Sequence, residues 1–322
     1  MSTTTADQRV SAVTVRPRYD GANIRTWVGF RQFLAMAEET VLGWFRERGA
    51  GPQRLYHEFG LGLSIVDSSG LLPAVLEVDD EVTGEARLTK PGRFAVTLTV
   101  ERAGTRTVTM RGKVTVALVE EHGAPVPPAA PADVTALLPD LGTATSVVVP
   151  AVTAADAATA PPALDAADDD PMRLLAPPGS GVFGWTWRAR YPLCHYSDRL
   201  QHSSYVAALE EVVDRFLAER GISVGRMLAE RGWIPVVSRA RVRMLADVHM
   251  EEEVHTTFTV TDVLKNLTWE ARMDCYVARE GRLTHTATAS ILHGYAISRG
   301  SGAGGLAELD EATVAALTGG RR

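Results

Sequence analysis

Apolar residues recur at intervals of three and four at Phe30, Phe33, Leu34, Ala37, Val41, Trp44 and Phe45, which predicts one long amphipathic helix over 26–48 that stops at Gly49. The same spacing returns at Tyr205, Leu209, Val212, Val213, Phe216 and Leu217, behind a polar loop holding His195, Asp198 and His202. After each helix the period drops to two. In the first half a short extended segment, 13–19, precedes the helix, and 62–67, 74–79, 80–89, 93–102 and 105–119 read as strands, with alternation clearest in Phe94, Val96, Leu98 and Val100. In the second half a strand over 183–191 precedes the helix, and 236–245, 248–263, 267–279 and 282–295 follow it. The expected class is α+β: one long helix followed by an antiparallel sheet, twice over.

The two halves also match residue by residue. A shift of 172 positions lays Arg16, Arg18, Tyr19, Ala35, Glu38, Glu39, Val41, Glu47, Arg48 and Gly49 on Arg188, Arg190, Tyr191, Ala207, Glu210, Glu211, Val213, Glu219, Arg220 and Gly221 without a gap. The same offset joins Arg54, Glu58, Gly60, Glu81 and Val82 to Arg226, Glu230, Gly232, Glu253 and Val254. A period this long points to two homologous domains rather than a solenoid.

Composition sets the boundaries. From 122 to 181 the chain turns to Ala, Pro, Asp and Thr, too poor in apolar surface to offset the entropy of ordering, and reads as a linker in which SVVVPAV at 146–152 is a candidate short strand or docking contact. The expected organisation is a first domain over 1–121, the linker over 122–181, a second domain over 182–300, and a tail over 301–322 with a short helix at 306–317. A formal charge of −6 without a basic stripe argues against nucleic acid as a partner. The start MSTTTADQRV lacks the pattern of a leader, and no run approaches the ~18 apolar residues of a membrane span, so a soluble, cytoplasmic protein without a membrane partner is expected. Cys194 and Cys275 have no metal-ligand or disulfide-framework spacing, and neither a metal nor another cofactor is expected. The runs Asp79-Asp80-Glu81 and Glu251-Glu252-Glu253 read as turns and solvated strand edges.

An aromatic residue near the helix start, followed by Glu-Glu five residues later and then a curved sheet, resembles the hotdog fold of the 4-hydroxybenzoyl-CoA and acyl-carrier-protein thioesterases. Tyr205-Val206 with Glu210-Glu211 and Phe33-Leu34 with Glu38-Glu39 carry the likeness. The resemblance implies two hotdog domains in tandem forming a pseudodimer, each a long central helix wrapped by the sheet. It also implies an acyl-CoA or acyl-carrier-protein thioester as partner, thioester hydrolysis in fatty-acid or polyketide-type metabolism, and a homodimer of such chains. The family's G-H-V-N-N run is absent, and its catalytic aspartate position holds Asn23 in the first copy and His195 in the second.

Hydrolysis requires hydrogen-bond donors aimed at the carbonyl oxygen and a group that activates water. His195 is the candidate base, against a structural histidine beneath the helix. Asp198 either orients an imidazole or caps the helix, and His202 joins the catalytic candidates from the first turn. Tyr19, Asn23, Arg25, Ser203 and Tyr205 are the candidate substrate-binding residues. Glu210 and Glu211 offer a buried helix acid, with a purely structural pair as the other reading. No G-x-S-x-G elbow surrounds a serine, which disfavours a serine nucleophile. Two alternatives share the fold: a 3-hydroxyacyl thioester dehydratase or hydratase, in which His195 and a helix glutamate share proton transfer, and a non-catalytic acyl-thioester-binding protein.

Overall fold

The computed structural model describes residues 10–121, 170–196, 198–300 and 302–319. They fall into two units, one made of 10–121 with Cys194–His202, the other of 170–193 with 203–319. Most of the expected linker, including 146–152, lies outside the described residues.

In the first unit a helix, Phe30–Glu47, lies on an antiparallel sheet built from β1 (Val10–Val15), β2 (Leu61–Leu71), β3 (Val82–Lys90), β4 (Arg93–Arg102) and β5 (Thr105–Glu120). The spatial order is β1-β3-β4-β5-β2. The predicted apolar stripe is the buried one, and Trp44 packs edge-on against Phe45 and Phe94 with ring centroids 5.1 Å apart in both contacts. Burying each such side chain contributes about 1.5–3 kcal/mol.

Two expectations change here. The helix begins at Phe30 rather than Thr26, because Val28 donates to the carbonyl of Leu76 at 2.9 Å and Val78 donates to that of Thr26 at 3.0 Å, which holds 26–28 extended. The segment 74–79 is therefore not a strand of the sheet; its Glu77 makes one isolated bridge with Trp27.

The second unit repeats the plan with β6 (Phe183–Arg188), the helix His202–Glu219 from Ser203 onward, β9 (Trp233–Met244), β10 (Glu253–Leu264), β11 (Thr268–Arg279) and β12 (Arg282–Ile297), ordered β6-β10-β11-β12-β9. A shift of 172 carries Phe30–Glu47 onto His202–Glu219 residue for residue. It also carries a helix missed in the sequence, Pro52–Phe59, onto a second missed one, Val224–Arg231. Each is too short for a clear apolar stripe, yet Pro52 at one start, Ser223 capping the other, and left-handed Gly60 and Gly232 at the ends are helix punctuation. The tail helix is Glu311–Thr318, capped by Asp310, whose side chain accepts from Thr313 N–H at 2.8 Å.

Candidate active site

The loop before the second helix is not irregular. Between β7 (Cys194–His195) and β8 (Arg199–Leu200) the chain makes a small hairpin, with Cys194 opposite Leu200 and His195 opposite Arg199. Tyr196 at its turn has φ +54°, a conformation uncommon for a bulky residue and sustained only by its surroundings. These surroundings belong to the first unit. The Arg199 guanidinium donates to Glu121, whose side chain is fully buried at the end of β5. Gly62 leaves the room, since a Cβ there would fall 1.9 Å from the Glu121 Oε1. Tyr196 stacks on Tyr56 of the Pro52–Phe59 helix at 5.4 Å and meets the His195 ring edge-on at 5.3 Å.

Glu38 of the central helix lies near enough to Tyr196 for its charge to act on the phenol. Burial, reinforced by neighbouring Glu39, raises its carboxyl from the ordinary 4.5 to about 7. Its partner in the pair, Glu39, is exposed and ion-paired with Arg46. Burial also raises the Tyr196 phenol, with the charges of Glu121 and Glu38 acting in the same direction, so the hydroxyl keeps its proton at neutral pH. His195 moves the other way. Although its ring keeps some solvent access, loss of water around it lowers its pKa, against the pull of Glu121 and a hydrogen bond to Gln201. Its imidazole is thus neutral at pH 7. The assembly has a carboxyl that titrates near neutrality, a neutral imidazole and a protonated phenol, with the Arg199–Glu121 pair beneath them.

The other predicted site residues are more scattered. Asp198 lies in the hairpin, ahead of the helix start at His202, so it does not cap that helix; its charge adds to burial in raising the Cys194 thiol. His202 is buried at 5% exposure as the first helical residue. Tyr19 is 91% exposed, and Asn23 and Arg25 are exposed on the excursion before the first helix, with the Arg25 guanidinium 4.8 Å from the Trp27 ring centre. Ser203 is half-buried in the first helical turn, where its neighbour Ser204 donates to the Leu193 carbonyl at 2.9 Å.

Tyr205 is fully buried in the core of the second unit, with its ring against Trp187 at 6.4 Å. Of the helix acids Glu210 and Glu211, Glu211 is exposed and paired with Arg215, and Glu210 is half-buried. Tyr196, Arg199, Glu121 and Gln201 were not singled out in the sequence. Only the aromatic residue inside CHYSD could have signalled them, since a single acid at a strand end reads as solvated.

Buried Cys275, its thiol pushed up to about 12 by burial, is unreactive at neutral pH. The acidic runs are more than solvated edges, because each contributes a clamp. Arg102 holds Asp80 and Arg279 holds Glu252, each arginine through two nitrogens. A cleft of about 1060 Å³ lies in the second unit, between Thr259–Val263 and the tail helix, away from the Glu38 group. Among the described residues no helix is long and apolar enough to cross a membrane.

Residues 193–317 match the family model of the thioesterase-like superfamily. No curated protein matches the sequence significantly. Among solved structures, the chain is similar to the 12:0-ACP thioesterase of Umbellularia californica, with TM-score 0.56, 12% identity, and 89% of this chain and 97% of the other covered. It is likewise similar to an acyl-ACP thioesterase of Bacteroides thetaiotaomicron, with TM-score 0.52, 9% identity, and coverage of 89% and 98%. At such identity the likeness speaks to the fold alone. With the helix-and-sheet unit present twice, the chain is a hotdog-fold protein that resembles the acyl-CoA and acyl-carrier-protein thioesterases of the thioesterase-like superfamily.

Proposed function

We propose that the protein hydrolyses an acyl-CoA or acyl-carrier-protein thioester, at a site centred on Glu38 of the first unit. What supports this reading is the place of half-buried Glu38 on the central helix near Tyr196, where loss of water raises its carboxyl to about 7, because a general base works best when it titrates near the operating pH. In the proposed reaction Glu38 takes a proton from water as the water oxygen attacks the carbonyl carbon. The carbon–sulfur bond then breaks, and the thiolate recovers that proton and leaves as a free thiol. Protonated Tyr196 and neutral His195 donate hydrogen bonds to the oxygen that gains charge. The proton-accepting role thus moves from His195 to Glu38, and His195 keeps a hydrogen-bonding one. Asp198 and His202 support the hairpin that presents them, and Asn23, Arg25 and Tyr19 are assigned to the carrier end of the substrate.

The proposed organisation is two hotdog domains, 1–121 and 182–300, as a pseudodimer, which the coinciding helices under the 172-residue shift support. The reading is tested by thiol release from short, long and aromatic acyl-CoAs and acyl-carrier proteins, comparing wild type with Glu38→Gln, His195→Ala and Asn23→Ala. Release that Glu38→Gln abolishes is expected; release that Glu38→Gln leaves intact rejects the assignment. A dehydratase or hydratase is the second reading, favoured by the presence of a carboxyl near 7 and a neutral imidazole, both next to Tyr196. It predicts a change in enoyl-thioester absorbance without free thiol.

A further inference from the structure

The inner face of the first unit's sheet has a gap. Gly70 of β2 and Gly112 of β5 are register partners, so two side chains are missing side by side. Both lie inside strands, where glycine weakens a sheet unless something must approach closely. Gly112 has a backbone reason, since a Cβ there would fall 2.4 Å from the Ser69 carbonyl oxygen. Gly70 has none. A Cβ at Gly70 would meet Met110 Cε at 2.8 Å and Leu34 Cδ2 at 3.5 Å, and one at Gly112 would meet the same Cε at 2.5 Å. The end of the Met110 side chain therefore fills the space that both glycines leave open. Met110 is fully buried, and its unbranched thioether is the kind of side chain that re-packs readily.

A second observation concerns the same floor. Ser68 lies two residues before Gly70, on the same face of β2, and is 3% exposed. Its hydroxyl has no hydrogen-bond partner. A buried hydroxyl left unpaired is unfavourable, and a native fold retains few of them without a reason. Leu34, which covers Gly70, sits one helical turn before Glu38 on the same side of the helix. The helix thus carries the titrating carboxyl next to the residue that roofs the gap.

We propose that this niche is the inner end of the acyl pocket, and that the pocket takes a short acyl group bearing a keto or hydroxyl oxygen. The end of the chain displaces the Met110 side chain from above the two glycines, and the oxygen accepts a hydrogen bond from Ser68. Met110 sets the chain length and Ser68 sets the preference for an oxygenated chain. This rests on the thioester reading above, with the carbonyl beside Glu38.

The test is equilibrium binding of S-alkyl-CoA thioethers, which cannot be hydrolysed, in a graded series of chain lengths made with and without a keto oxygen on the chain. Wild type should bind the oxygenated member of a pair about five- to tenfold more tightly, the effect of one net hydrogen bond. Ser68→Ala should erase that preference and leave plain chains unaffected. In wild type affinity should rise roughly fourfold per added methylene and then stop. Met110→Ala should move that stop outward by about two to three methylenes, the length of the side chain removed. Gly70→Ala, which crowds the Met110 Cε, should move it inward, and this arm stands if Met110→Ala does not fold. A preference that survives Ser68→Ala, or a stop that moves in neither Met110→Ala nor Gly70→Ala, places the chain elsewhere and overturns the proposal. The same series is loaded on a carrier-protein phosphopantetheine, and binding of none of the thioethers in either form by wild type rejects the thioester reading itself, and the pocket with it.

Discussion

Arg102 in the first repeat and Arg279 in the second each grip a carboxylate just before a strand, and the surrounding contacts correspond as well. Asp80 and Glu252 are related by the 172-residue shift. Each also accepts a backbone N–H, from Glu77 and His249, at 2.7 Å. Each arginine reaches one further carbonyl, Val75 at 3.2 Å and Asp247 at 2.7 Å, again in register. Arg54 pairs with Glu58 and donates to Gly49 O at 2.8 Å, as Arg226 does with Glu230 and Gly221 O. Arg48 lies over the Trp44 ring as Arg220 lies over Phe216. Among the identities shared by the repeats, Arg48, Arg54 and Glu58 thus make the same scaffold contacts as Arg220, Arg226 and Glu230.

The loops before the two helices share their backbone pairing and differ in side chains. In the first repeat Ala22 bridges Val28 and Asn23 N–H donates to the Trp27 carbonyl at 3.0 Å, while Trp27 also bridges Glu77. In the second the same positions form the Cys194–Leu200 hairpin, with Arg199 where the first has Trp27. Where the first loop has Asn23, Ile24 and Trp27, the second has His195, Tyr196 and Arg199. The two loops keep one backbone pairing and carry different side chains on it.

The largest expected effect separates the paired helix acids. Glu38→Gln should lower thiol release by roughly 10²–10⁴-fold, the usual contribution of a general base, while Glu210→Gln should change it by less than about tenfold. Equal losses in the two variants would erase the distinction between the repeats.

Next comes the anchor of the hairpin. Arg199→Ala leaves Glu121 charged and buried, and should destabilise the protein by about 3–5 kcal/mol in chemical denaturation. Replacing both partners, as Glu121→Leu with Arg199→Met, should recover most of that loss. A single variant as stable as wild type would show that the hairpin is held by other contacts.

The pH dependence of stability tests Glu38 without reference to activity. Its folded pKa of about 7 lies above the ordinary 4.5, so the folded state binds the extra proton between these values. Stability should therefore fall as pH rises from about 4.5 to 7, by about 3 kcal/mol in total. Glu38→Gln should flatten this slope and be the more stable protein at pH 8. Denaturation curves for the two proteins across that range check the sign.

The smallest effect tests the likeness of the scaffolds. Arg102→Ala and Arg279→Ala should each cost about 1–2 kcal/mol, after discounting for partial exposure, and by similar amounts. Burial works against ionisation of Asp80, but the Arg102 and Glu77 hydrogen bonds outweigh it and hold the carboxyl below its ordinary value. For Glu252 the Arg279 hydrogen bond is the leading cause of the same lowering. Both clamps should therefore weaken as pH falls through the carboxylate range. A clamp that strengthened in acid would contradict this.

The scaffold was legible in the sequence because periodicity and identity report on packing. The stripe from Phe30 to Phe45 and the alternation of Phe94 to Val100 are consequences of a buried face, and the shared glycines mark turns that recur. The site was legible only in part. His195 and Asp198 stand out as chemistry-bearing types, and the structure places both on the hairpin. Glu38 did not stand out from Glu39, Glu210 and Glu211, because which of four helix acids loses its water depends on what covers it. Tyr196, on whose phenol the Glu38 charge acts, is separated from Glu38 by about half the chain.

The most direct measurement of the central claim is kcat/KM for thiol release as a function of pH, for wild type and Glu38→Gln on the same acyl thioester. Wild type should rise about tenfold per pH unit and level off near pH 7 as the Glu38 carboxyl ionises, and Glu38→Gln should lose both the rise and the rate. A Glu38→Gln protein that keeps the wild-type rate and its inflection near pH 7 would contradict the account.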